Sequence, residues 1–258
     1  MKILIVGDVY SKLGRASFER NVKQIKEKEK IDIIIVNGEN TSHGRGLNEK
    51  HYRWYLNQGV SIITLGNHAF ENKSIIDFIN DTDNVIRPYN FPNKFPGKGF
   101  ITFRWNNLKI TVMQMIGKVF MNDEYLCPFE KTLDLLNKLD SDIYICDFHA
   151  EATSEKIAYA HCFDGKIHVI YGTHTHVQTN DARIMENGTA YITDVGMTGA
   201  LDGVIGVKKE IIINRFLYGM QERFTPQNEG KTQFNAIILE INEISKKAAN
   251  IDIINLIE

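Results

Sequence analysis

Three runs dominated by branched apolar residues, at positions 3–6, 31–36 and 60–65, interrupted only by Asp32, Ser61 and Thr64, constrain this chain more than any other feature. A strand that is apolar on both of its faces must be covered on both, the situation of a parallel sheet inside an α/β fold. Between the runs, residues 15–30 and 48–58 carry helical periodicity, with Asn48 placed to cap the second helix. Strand, loop, helix, strand is the signature of parallel pairing through crossovers. Beyond Val85 the strands shorten and Pro and Gly punctuate them, with 100–105 and 108–115 joined by a turn at Asn106-Asn107. Helices are expected over 129–139 and 154–163, and strands over 143–148 and 167–171. After His176 mostly strands are expected, at 182–185, at 190–193 across an Asn187-Gly188 turn, and at 236–241. No repeat, low-complexity tract or linker divides the 258 residues, so two packed sheets with helices outside is the expected architecture.

Polar clusters follow these apolar runs: Gly7-Asp8, Gly38-Glu39-Asn40, Gly66-Asn67-His68, and Gly172-Thr173-His174-Thr175-His176, with His149 alone after 143–148. Ligands of open α/β folds bind outside the carboxyl ends of the strands, where all five positions fall. Each has an ordinary reading by itself. Gly-Asp is common turn chemistry and Asn67-His68 suits a hydrogen-bonded loop; Glu39-Asn40 is less easily a turn because Glu is a poor turn former, and His174-x-His176 is the strongest single signal. Together they supply the carboxylate, amide and imidazole groups of a two-metal phosphoester-cleaving centre. Two cations about 3.5–4 Å apart generate a nucleophile near neutral pH and neutralise the oxygens on phosphorus. Glu39 is the candidate bridge, since its charge offsets repulsion between the metals. Imidazoles and amides add affinity without adding charge.

The series Gly-Asp, Gly-Glu-Asn, Gly-Asn-His, a lone His and Gly-x-His-x-His resembles the calcineurin-like metallophosphoesterase superfamily. The longer strings NGEN (37–40), DFHAEATSEK (147–156), GTHTHVQT (172–179) and TDVGMTG (193–199) look like its YmdB-like branch. The resemblance runs from Met1 to about Gly206. It implies one metallophosphoesterase domain over 1–258, a four-layer αββα sandwich of two mixed β-sheets flanked by helices. It also implies that Asp8, Glu39, Asn40 and His176 bind one metal, that Glu39, Asn67, His149 and His174 bind the other, and that His68 is the general acid protonating the leaving oxygen. The superfamily usually has Asp-x-His at its first motif and Asp at its second. Here Asp8-Val9-Tyr10 and Glu39 depart from that, departures the branch shares, with Asn40 in place of the missing imidazole. The implied cofactors are two divalent or mixed-valence ions, iron first and manganese as the alternative. The implied activity is hydrolysis of small cyclic nucleotides, particularly 2′,3′-cyclic ones, by metal-bound hydroxide.

A phosphomonoesterase or nuclease could use the same centre, and a regulatory protein binding a nucleotide or an RNA-processing partner is the alternative of a different class. A net charge of −2 gives no global reason to expect a nucleic-acid polymer or an anionic membrane as partner. The first apolar run is too short for a signal peptide or membrane span, so a cytoplasmic protein without a membrane partner is expected. Cys127, Cys146 and Cys162 form no paired motif and are expected to be small core residues. Apolar strands after Phe100 suggest a homo-oligomer. His43 and Arg45, in the loop after Glu39, could hold the phosphate or the base or simply face solvent. Residues 194–199 could meet substrate through backbone N–H groups or support the metal loops. His51, His161 and His168 are read as packing or surface residues.

Overall fold

The structure, a computed structural model, describes residues 1–92, 95–121 and 125–258. Asn93 and Lys94, within the Pro-punctuated stretch, lie outside the described residues. The first half alternates strands and helices: β1 (Lys2–Val6), β2 (Asp8–Val9), α1 (Ser11–Glu29), β3 (Ile33–Asn37), α2 (Glu49–Asn57), β4 (Ile62–Thr64) and β5 (Val85–Ile86). The second layer follows with β6 (Phe100–Trp105), β7 (Leu108–Ile116), α3 (Pro128–Leu136), β8 (Ile143–His149), α4 (Thr153–Phe163), β9 (Val169–Thr173), β10 (Arg183–Ile184) and β11 (Ala190–Ile192). The chain returns through β12 (Met197–Ala200), α5 (Lys209–Tyr218), β13 (Thr232–Asn242) and β14 (Lys247–Ile257).

In one sheet β1, β3, β4 and β5 run parallel, with β13 antiparallel on β1 and β14 antiparallel on β13. The other sheet has the order β10-β11-β9-β8-β7-β6, parallel at its centre and antiparallel at both edges. Alternate residues of each strand serve different layers. Ile3, Ile5, Ile33 and Ile35 meet Ile110, Val112, Ile143 and Ile145 in the seam between the sheets. Leu4, Val6, Ile34 and Val36 face Phe18 and Val22 of α1 and Tyr55 of α2. On the far side, Met113, Cys146 and Phe148 pack against Leu135 of α3 and Tyr159 and Phe163 of α4. The αββα sandwich is therefore the fold of this chain, and shaving one of these buried aliphatic side chains to Ala costs about 2–5 kcal/mol.

Several boundaries differ from the sequence reading. The first helix starts at Ser11, not Arg15, although Gly14 reads as a loop residue. A side chain at Gly14 would strike the Thr198 carbonyl, so the glycine is there for close packing on β12. Asn48 does cap α2, its side chain accepting the His51 N–H at 2.9 Å. The helix α5 was not expected, since mostly strands were expected after His176; only Ile212 of it is buried, against Tyr10, Met197 and Val207. Exposed apolar surface lies on this helix, at Ile213, Phe216, Leu217 and Tyr218, more than on the strands after Phe100. Of the cysteines only Cys146 is core; Cys127 is half-buried and Cys162 exposed. No helix among the described residues is long and apolar enough to cross a membrane.

Candidate metal centre

Because the central strands of both sheets are parallel, their carboxyl ends share one edge of the sandwich. Asp8 leaves β1, Glu39 and Asn40 follow β3, Asn67 and His68 follow β4, His149 ends β8, and His174 and His176 follow β9. Side chains from both sheets thus converge over the seam. Local hydrogen bonds shape the loops that carry them. Asn37 accepts the Glu39 N–H at 3.1 Å and donates to the Leu65 carbonyl at 2.9 Å, tying the loop after β3 to the one after β4. The Glu39 carboxylate takes the His68 N–H at 2.9 Å. Gly66 sits directly against Glu39 and the His149 ring, where any Cβ would collide.

Structure brings all seven sequence-derived ligand candidates together. Asn40 Nδ2 lies 3.1 Å from Asp8 Oδ1, 3.4 Å from Glu39 Oε1 and 3.2 Å from His176 Nε2. On the other side of Glu39, His149 Nε2 lies 3.1 Å from Glu39 Oε1, 2.8 Å from Asn67 Oδ1 and 3.1 Å from His174 Nδ1. Glu39, His149 and His174 each present one donor atom, all within 4.8 Å of one another. Asp8, Glu39 and His149 are essentially inaccessible to solvent.

Outer partners settle which nitrogen each imidazole turns inward. His149 Nδ1 donates to Thr173 Oγ1 at 2.9 Å, since that hydroxyl spends its own proton on Asp147 at 2.7 Å. His176 Nδ1 donates to the Ile205 carbonyl at 3.0 Å, and His174 Nε2 reaches Glu151 at 3.2 Å. With those protons turned outward, His149 Nε2 faces Glu39 Oε1 and Asn67 Oδ1, His176 Nε2 faces Asp8 Oδ1 and Asn40 Nδ2, and His174 Nδ1 faces His149 Nε2. Lone pair against lone pair is repulsive until a cation lies between them, so the residues fit a metal centre. The titration behaviour agrees. Burial opposes protonation of His176, but the Asp8 charge and hydrogen bond outweigh it and raise its pKa to about 9. Burial likewise opposes the charged forms of Asp8 and Glu39, yet His176 and His149 respectively hold both below the ordinary carboxylate range. Burial, with the charge of His149, pushes His174 down to about 3. Burial raises the outer carboxyl of Asp147 to about 6. The pocket favours positive charge, and in metal-free protein a proton on His176 supplies it.

Backbone strain accompanies this geometry: His174 (φ 99°) and His176 (φ 64°) are left-handed, at a cost of about 1–3 kcal/mol each. A buried ion pair holds the loop in place. Asp194 accepts Lys156 Nζ at 2.6 Å and the Thr175 N–H at 3.2 Å, while Lys156 also donates to the Thr173 carbonyl at 2.8 Å. Residues 194–199 therefore support the loop: Gly196 N–H is spent on Asp194, and its carbonyl accepts the Asp8 N–H.

His68 stands apart from the cluster. Its Nδ1 donates to Glu71 at 2.7 Å, and its Nε2 accepts from Asn67 Nδ2 at 3.3 Å. Acting as an acid through Nε2 requires that nitrogen to leave Asn67. His68 lines a cleft of about 690 Å³ together with Tyr10, Asn40, His43, Arg45 and His176. Tyr10, where an imidazole was missing, packs edge-on against the His176 ring, centroids 5.7 Å apart. His43 and Arg45 are exposed on this cleft, and Arg45 pairs with Glu71 at 3.1 Å. His51 is occupied by Ser42 at 2.8 Å, and His161 is exposed, as packing and surface residues should be. The sequence reading missed Glu71, and gave Glu151, Lys156 and Thr173 no role of their own, whereas support by 194–199 was one of its two readings of that segment. Glu151, Lys156 and Thr173 lie in strings already singled out, but nothing there marks which atom each would hold.

Comparison with known proteins gives concordant results. The model of the YmdB-like protein family matches residues 4–254. A 2′,3′-cyclic-nucleotide 2′-phosphodiesterase of Bacillus subtilis (strain 168) is 44% identical over 257 residues, covering 98% of this chain and 96% of that protein. The crystal structure of a phosphatase from Mycoplasma pneumoniae superposes with a TM-score of 0.96 at 38% identity, over 100% of this chain and 93% of that one. A hypothetical protein from Thermus thermophilus superposes with a TM-score of 0.94 at 36% identity, with both chains covered in full.

Proposed function

The chain belongs to the YmdB-like protein family, and from that premise we propose that it is a metal-dependent phosphodiesterase opening small cyclic nucleotides, of the 2′,3′-cyclic class. The observation that carries the reading is the convergence of three imidazole nitrogens, two buried carboxylates and two amides at one strand-end edge. In the proposed centre Asp8, Glu39, Asn40 and His176 hold one ion, and Glu39, Asn67, His149 and His174 the other. Two ions there, iron first and manganese as the alternative, supply Lewis acidity and a nucleophile near neutral pH. Glu39 lies between the two ligand groups and is the residue able to serve both. His68, at the cleft and outside the ligand cluster, donates the proton that the departing ribose oxygen needs, with Glu71 orienting the ring by accepting Nδ1–H. Thr173, the Ile205 carbonyl and Glu151 keep the three ligand imidazoles in the right tautomer.

The deciding experiment pairs metal analysis of the purified, unchelated protein with a panel of 2′,3′-cyclic nucleotides, 3′,5′-cyclic nucleotides, phosphomonoesters and short RNA. Greatest kcat/KM for the 2′,3′-cyclic compounds, lost on chelation and restored by iron or manganese, is the expected result. Undiminished turnover by metal-free protein would overturn the metal-dependent reading, and preference for monoesters would overturn the substrate class.

A further inference from the structure

The metal ligands and His68 account for only part of the cleft. The rest of its lining comes from the segment beyond β12: Ile205, Val207, Arg215 on α5, and Glu222, Arg223 and Phe224 after it. The Arg215 guanidinium lies over the Phe224 ring, 5.2 Å from its centroid. Among the described residues neither Arg215 nor Arg223 is in an ion pair, with Glu222 or any other carboxylate, whereas Arg45 on the same cleft is committed to Glu71. Two unspent guanidinium groups therefore share one concavity with the candidate centre. Their planar forks match a phosphate in two hydrogen bonds at once, and stacking on an aromatic ring restrains one of them beforehand. A nucleoside 2′,3′-cyclic phosphate has its only charge at the bond to be broken, which the metal ligands and His68 receive. It offers these arginines nothing.

We infer that Arg215 and Arg223 form a subsite for a second, non-scissile phosphate at the 5′ position of the nucleoside. The preferred substrate is then a 2′,3′-cyclic phosphate that also carries a 5′-phosphate, either as a free nucleotide or as the 3′ end of an RNA fragment. This deepens the reading of the site as a cyclic-nucleotide centre and rests on it. Glu222 tempers the field of the subsite without neutralising both arginines.

The test compares adenosine 2′,3′-cyclic phosphate, its 5′-phosphorylated form, and a dinucleotide ending in a 2′,3′-cyclic phosphate, in wild type and in the Arg215→Gln/Arg223→Gln double variant. A gain in kcat/KM of about tenfold or more over the bare cyclic nucleotide, carried by KM, is expected for at least one phosphorylated compound. A gain confined to the mononucleotide identifies free nucleotides as the source, and one seen with the dinucleotide identifies RNA ends. In the double variant the ratio of phosphorylated to bare substrate should fall towards one, and raising salt should lower it in wild type. No gain, or a gain that survives in the double variant, overturns the inference. Calorimetric binding of adenosine 5′-monophosphate against adenosine separates this failure from that of the catalytic reading. Tighter binding of the monophosphate by wild type but not by the double variant supports the subsite even if no cyclic nucleotide is turned over; equal binding overturns it.

Discussion

At the scale of single residues, the division of labour between Glu39 and His68 makes sharp expectations. Glu39→Gln removes a charge that both ligand groups face, so metal content and turnover should fall together, measured by elemental analysis and initial rates. His68→Ala should keep its metal and lose about 10²–10⁴-fold in kcat. If His68→Ala instead emptied the centre, His68 would be a ligand and its role as acid would fall. Gly66→Ala adds one methyl between Glu39 and His149; a loss of about 1–3 kcal/mol of stability in urea melts is expected, together with weakened metal binding. The ligand residues themselves were legible in sequence because each follows an apolar run, and parallel pairing sends every such position to one edge. Their outer partners were not. Which atom Thr173, Glu151 or the Ile205 carbonyl would meet depends on left-handed backbone at His174 and His176, and no spacing rule announces that conformation in histidine.

Elements carry the next level of the design. The loop after β9 is held in a strained shape by α4, through Lys156, and by the loop before β12, through Asp194. Both charges are about 1% exposed, so Lys156→Met leaves Asp194 buried and unpaired, at a cost of about 3–5 kcal/mol in chemical denaturation. A variant that also carries Asp194→Asn should recover part of that loss, which separates the stranded charge from lost packing. Unchanged stability of Lys156→Met would mean that the ion pair does not hold the loop. Sequence patterns located most helices and strands to within a few residues and failed at identifiable places. Three consecutive isoleucines carry no helical periodicity to mark α5, and the helical pattern of α1 becomes regular only after its first turn. In β14 Ile251 and Ile253 face the seam with the exposed Asp252 between them and Asn250 and Asn255 to either side, so the strand has no long apolar run to mark it.

For the whole molecule, pH and metal act on the same energy balance. In metal-free protein His176 has a raised pKa, so its contribution to stability is complete below about 6.5, the ordinary histidine value, and is lost as pH climbs through about 9. His174 has a depressed pKa, so its contribution is present above about 6.5 and lost as pH falls towards about 3; the lowered Asp8 and Glu39 steepen the loss in acid. A melting temperature that peaks near neutral pH and declines on both sides is expected after chelation, with the alkaline decline flattened in His176→Asn. A flat alkaline limb in the wild type would contradict this. Added metal should raise the melting point by mass action, by about 2.7 kcal/mol of stability at a hundred times its dissociation constant.

Each ligand group draws on both sheets: Asp8, Glu39, Asn40 and Asn67 come from one, His149, His174 and His176 from the other. Apart from the short crossover at 193–196 between β11 and β12, packing alone holds those layers together at the site, so the spacing of the ligands is a gauge of how the sheets are seated on each other. The isoleucines of the seam thereby become determinants of metal affinity at a distance. Trimming Ile35 or Ile145 to Val, chemically mute and remote from the cleft, should register as a faster off-rate for the metal, and a bound metal should in turn slow amide exchange along β3 and β8 as though the two layers had been riveted.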